Sequence, residues 1–205
     1  MGGPLVVVPL SVLQHWGGCT EGGMILGETA DPDDYDRACG VEGWAGVVKA
    51  AGASVLVLGG EPATTCYLPE CRVFLRWLAA DCDTELPAAA DAVLSDPATV
   101  WEDCGLWGTD GGAVLMDAAE AGADLGVEYP SGGGQPDQAP VGLPAGQWKV
   151  RAFHGTGDYP WVGVVQLLPE ADPQPVYAGE CVGVGSAVGD ARSGACDPQL
   201  AGGVL

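Results

Sequence analysis

The sequence predicts an α+β fold that is mainly β: a short β-rich first half carrying one helix, followed by an all-β second half. Three observations predict it. Short Val- and Leu-rich runs recur along the chain, a length and composition that suit strands. Gly and Pro, 34 and 16 of the 205 residues, punctuate those runs. A segment with helix-forming composition and end signals occurs once.

Residues 4–8 read as a buried strand, bracketed by Pro4 and Pro9. The Gly-, Pro- and acid-rich stretch from Gly17 to Asp36 has the composition of a long loop. Trp44 to Lys49 and Ser54 to Leu58 form a predicted hairpin around Ala50-Ala51-Gly52-Ala53. In the run from Arg72 to Leu78, a period of two puts Arg72, Phe74, Arg76 and Leu78 on one face and Val73, Leu75 and Trp77 on the other. Pairing with nearby carboxylates is the expected fate of the two arginines.

Asp83 or Thr84 caps the predicted helix, which runs to about Leu94, with Pro87 near its first turn. Ser95, Asp96 and Pro97 end it. Further strands are expected at Ala113–Asp117, Leu125–Tyr129, Gln147–Phe153 and Trp161–Leu168, with residues 131–140 as a flexible connection. The division expected from these elements is an α+β lobe over residues 1–100, a β-rich lobe over 101–169 and a loosely ordered tail over 170–205.

Charge narrows the class of partner. The chain has 28 Asp and Glu against 7 Lys and Arg, a net charge of -21. Residues 1–100 hold 14 acids and 101–205 hold 14, so the acidity belongs to the whole surface and not to one tail. Such a surface repels nucleic acid and anionic membrane, and attracts a basic protein over long range. The same charge also serves solubility. No basic residue precedes the first apolar run, which argues against a signal peptide and for a cytoplasmic location.

Little in the sequence points to catalysis. There are 2 histidines, His15 and His154, and no nucleophile motif surrounds either. The Gly183–Gly189 string has its third glycine one position late for a dinucleotide loop. In Asp31-Pro32-Asp33-Asp34-Tyr35-Asp36, Tyr35 and Asp36 fall where a calcium loop needs an oxygen ligand and a glycine. The 8 cysteines include no CxxC pair and are expected to be small, buried, reduced side chains; a Cys181–Cys196 bridge is the alternative under oxidation. No cofactor or metal is expected. Among the tryptophans, Trp77 and Trp148 are expected in the core and Trp107 and Trp161 at the surface.

Several segments, taken in order, resemble one family. Gly2-Gly3-Pro4-Leu5-Val6-Val7-Val8-Pro9, Asp34-Tyr35-Asp36-Arg37-Ala38-Cys39 and Leu58-Gly59-Gly60-Glu61-Pro62-Ala63-Thr64-Thr65 come first. Leu75–Asp81, Leu115–Ala119 and Leu143–Val150 follow. The series, covering about residues 2–169, is similar to the immunity protein 21 family of bacterial polymorphic toxin systems. The Asp-Tyr-Asp-Arg-Ala-Cys and Gly-Glu-Pro strings are its most specific parts. One stretch departs from the pattern: Cys66-Tyr67-Leu68-Pro69 stands where Trp-Leu-Pro is typical.

The resemblance implies a non-enzymatic inhibitor of a cognate protein toxin, with a basic nuclease, whose active site attracts phosphate, as the candidate toxin. Acid density beside an aromatic selects Asp33, Asp34, Tyr35, Asp36 and Glu61 as the expected partner-binding residues. Two alternatives come from other classes: a small hydrolase using His154 with a cysteine or carboxylate, and an acidic interaction protein unconnected with toxins.

Overall fold

A computed structural model describes residues 3–20, 32–60 and 62–170. Its strands are β1 (Leu5–Pro9), β2 (Gly46–Ala50), β3 (Ala53–Leu58), β4 (Thr65–Leu68), β5 (Val73–Ala79), β6 (Glu102–Thr109), β7 (Ala113–Asp117), β8 (Gln138–Val141), β9 (Gly146–Gly155) and β10 (Trp161–Pro169). The helices are α1 (Asp34–Cys39) and α2 (Glu85–Ser95). Two five-stranded antiparallel sheets result, ordered β2-β3-β1-β7-β8 and β4-β5-β10-β9-β6. The mainly β, α+β class expected from the sequence is the class observed. Each sheet takes strands from both sides of residue 100. Among the described residues no helix is long and apolar enough to cross a membrane.

The sheets pack face to face and both outer faces are covered, which explains the unbroken apolar run of β1. Val7 joins Leu56, Leu58, Phe74, Val150 and Val165 between the sheets. Val6 and Val8 point the other way, to Trp16, Ala38 and Leu125. Outside the second sheet, Leu86 and Ala90 of α2 lie on Val73, Leu75, Val162 and Val164. The period-two reading of β5 therefore holds: Phe74 faces the other sheet, and Val73 and Leu75 face α2. Fully burying each such Val or Leu contributes about 1.5–3 kcal/mol.

The predicted hairpin closes at Ala51-Gly52, both with positive φ, as a tight two-residue turn requires. Trp148 is in the core as expected, Trp77 packs part-buried against the α2 cluster, and Trp161 is exposed. Trp107 is a correction: it was expected at the surface and is 0% exposed. The cause is a bulge in β6, whose register against β9 shifts between Asp103 and Leu106. Cys104 packs against the inter-sheet core, Gly105 takes φ 86, and the extra residue turns Leu106 outward and Trp107 inward.

The strand expected at Leu125–Tyr129 is also corrected: it forms turns. Leu125 supplies one buried anchor, while the Leu125 and Gly126 carbonyls accept from the side-chain amides of Gln138 and Gln135 at 3.1 and 2.8 Å. The expected long loop before Asp36 contains the start of α1. Arg72 lies over the Trp148 ring, 5.4 Å from its centroid, and the buried Arg76 donates to the Gly59 carbonyl. Cys66 is buried as expected, whereas Cys39 is exposed. The tail from 171, with Cys181, Cys196 and the Gly183–Gly189 string, lies outside the described residues, as does Glu61.

Candidate functional site

The residues that select a site in the sequence cluster on α1, and the local chemistry explains why a helix starts there. Asp33 sits extended at the N-cap and accepts from the Asp36 amide at 2.8 Å, satisfying one of the unpaired donors of the first turn. Its other oxygen accepts from the Thr20 amide and hydroxyl at 2.8 and 3.0 Å. Asp34 and Asp36 in the first turn and Arg37 in the last complement the peptide dipoles.

Asp34 is 7% exposed. It accepts from the Gly17 amide at 2.7 Å and pairs with Arg37. Asp33 and Asp34 thus tie α1 to the segment 17–20. Tyr35 lies half-buried against Gly3, where an added Cβ would stand 2.4 Å from the ring carbon Cε2. The neighbouring Cys39 thiol, then burial and Asp117, pushes the Tyr35 phenol above its ordinary value. Asp36 is part-exposed.

Burial alone would raise the Asp33 pKa, but the hydrogen bonds from Asp36 and Thr20 outweigh it and hold it below the ordinary 3.8. A depressed carboxyl stabilises the fold fully above 3.8 and stops doing so as pH falls through the folded value. Asp33→Ala is expected to lose about 1 kcal/mol at neutral pH. Urea titrations of wild type and variant should show that gap closing at lower pH.

The Gly-Glu-Pro string meets α1 across space. Gly3, Pro4, Tyr35, Ala38, Cys39, Val41, Gly59, Gly60 and Pro62 line an open cleft of about 250 Å³. Gly59 is held from the second sheet by Arg76 and from the segment before β2 by Trp44, whose carbonyl accepts from the Gly59 amide at 3.0 Å. Gly60 packs on the Trp44 ring. The other face of the local arrangement is a Trp44–His154 stack, 3.5 Å between centroids and 3° from parallel. Burial, then the Arg76 charge, keeps the His154 imidazole below its ordinary pKa of 6.5. Among the described residues no hydroxyl, thiol or carboxylate hydrogen-bonds it.

The structure therefore places Asp33 at the N-cap and Asp34, Tyr35 and Asp36 on one short helix: Asp33 and Asp34 serve as scaffold, Tyr35 packs against Gly3 and the apolar cluster beneath, and Asp36 is part-exposed. Gly3, Trp44, Gly59 and Arg76 complete the cleft and were not selected as site residues. Their signal was weak: Gly3 and Gly59 stood inside the quoted strings, but Trp44 and Arg76 are framing residues that only the strand register brings there.

No curated protein and no solved structure matches the chain. A family model described as Immunity protein 21 matches residues 1–159, a span that includes both strings and every residue of the cleft. The chain belongs to the immunity protein 21 family, whose members protect against a toxin.

Proposed function

We propose that this chain neutralises its cognate toxin by binding it, without catalysis, at the acidic end of the sandwich formed by α1 and the Gly59–Pro62 turn. The observation that carries the reading is the cleft, where two strings separated in sequence come together beside the Gly3 backbone. Tyr35 and Asp36 are the contact residues on α1, Asp33 and Asp34 hold them in place, and Glu61 is the contact residue of the turn. The partner is basic: a net charge of -21 steers Lys- and Arg-rich surfaces and repels nucleic acid and anionic membrane. A cytoplasmic nuclease toxin fits, because its own active site must attract phosphate.

Co-purification with the cognate toxin domain tests the reading. The Asp36→Lys, Glu61→Lys double variant is expected to bind about tenfold more weakly or worse. Wild-type association should slow as salt rises, since screening shortens the reach of the charges to about 8 Å at physiological ionic strength. Unchanged affinity in the double variant would remove α1 and the turn from the interface.

A further inference from the structure

The strand register carries a second exposed feature to the same end of the sandwich. Arg76 reaches from β5 to the Gly59 carbonyl, Gly163 of β10 lies opposite both Arg76 and His154, and Trp161 lies opposite Ala79. The turn from β9 to β10 and the link from β5 to α2 therefore converge beyond the cleft. Tyr159 and Trp161 stand out there, 50% and 38% exposed. Among the described residues they are the only exposed aromatics within two positions of each other.

The Trp161 ring is not loose: its indole N–H donates to the Gly157 carbonyl at 3.1 Å. Burial, then the nearby Asp81 carboxylate, pushes the Tyr159 phenol up to about 12. Asp81 is braced in turn, its amide facing Glu85 Oε2 at 3.3 Å. A ring already held in one orientation loses little freedom when a partner covers it. The surrounding charge is of one sign. Trp77 to Glu85 contributes Asp81, Asp83 and Glu85, Gly155 to Gly163 contributes Asp158, and neither segment contains Lys or Arg. The nearest cation of β5, Arg76, is 2% exposed and so does not offset these acids at the surface.

We infer that Tyr159 and Trp161 are the aromatic anchors of a docking surface for a basic protein, continuous with the α1 cleft and occupied by the same toxin. Flat apolar rings flanked by carboxylates suit Lys and Arg side chains, whose alkyl stems pack on the ring while the charged head meets an acid. This rests on the toxin-binding reading above, extending its interface across the end of both sheets.

Isothermal calorimetry with the cognate toxin domain tests it, using wild type, Tyr159→Ala, Trp161→Ala and Asp81→Lys. Asp81 is exposed, so its charge reversal probes the surface without touching the core. Each variant is expected to weaken the complex about tenfold or more while keeping the wild-type melting profile. If wild type binds, the Asp36→Lys, Glu61→Lys variant weakens and these three match wild type within twofold, the second surface is overturned and the α1 reading stands. A wild-type chain that forms no complex overturns both. Light scattering covers a different occupant: a wild-type dimer converted to monomer by Trp161→Ala would assign the rings to self-association and overturn the proposal.

Discussion

Trp107→Ala is expected to destabilise the protein by about 4 kcal/mol, the largest effect of any single substitution considered. The side chain is wholly buried between the sheets, opposite Trp148. Its indole N–H donates to the Ser54 carbonyl of β3 at 3.0 Å, so one residue fastens the edge strand of the second sheet to a strand of the first. Alanine would leave a cavity the rigid strands cannot close and would strip a part-buried carbonyl of its donor. Because whole domains hold about 5–15 kcal/mol, such a loss removes a large share of the margin. A urea midpoint shifted strongly downward is the expected reading, and a shift worth less than about 1 kcal/mol would show that β6 is not held this way. Leu106→Ala, one position away and 50% exposed, should change the midpoint little.

Gly59→Ala is expected to have the second largest effect, about 2 kcal/mol, and to act on the candidate site as well as on stability. A Cβ there would meet the Gly43 carbonyl oxygen at 2.4 Å, and that obstacle is backbone, which cannot swing aside as a side chain would. The turn would have to move, losing the hydrogen bond from the Gly59 amide to Trp44 and disturbing the acceptor used by Arg76. Both contacts hold one wall of the cleft beside Tyr35. The expected outcome is a lowered melting temperature together with weaker toxin binding. Gly142→Ala is the control, since an added Cβ there meets nothing within 4 Å.

These two positions also show where reading a sequence succeeds and where it stops. The β character of the chain, the hairpin at Ala51-Gly52, the two faces of β5 and the approximate span of α2 were legible because each depends on local chemistry: turn residues, period-two alternation and helix-forming composition. The expected cap of α2 did not form, since Thr84 makes no side-chain cap hydrogen bond. Trp107 was misread because its neighbours Gly105 and Gly108 look like a loop, and a single inserted residue reverses which side of a strand faces inward. Leu125–Tyr129 failed for the opposite reason. Its alternation resembles a strand, but glutamine side chains and local turns satisfy its carbonyls in place of a neighbouring strand.

The candidate site was half legible for the same physical reason. Acid density beside Tyr35 selected α1, yet nothing local distinguishes an aspartate that caps a helix or clamps a buried amide from one left to face a partner. Asp33 and Asp34 satisfy backbone donors, while Asp36 does not take up that duty with its carboxylate among the described contacts.

By itself the sequence determined the fold class, the net acidity and the family, because composition, periodicity and short strings of residues are properties of the chain in order. Tertiary structure alone decided which strands share a sheet, which face of β6 is buried, and that α1, Gly3, Gly59, Gly60 and Pro62 line one cleft. Those depend on pairing between residues far apart in the chain, and antiparallel register, not proximity in sequence, sets which of them meet.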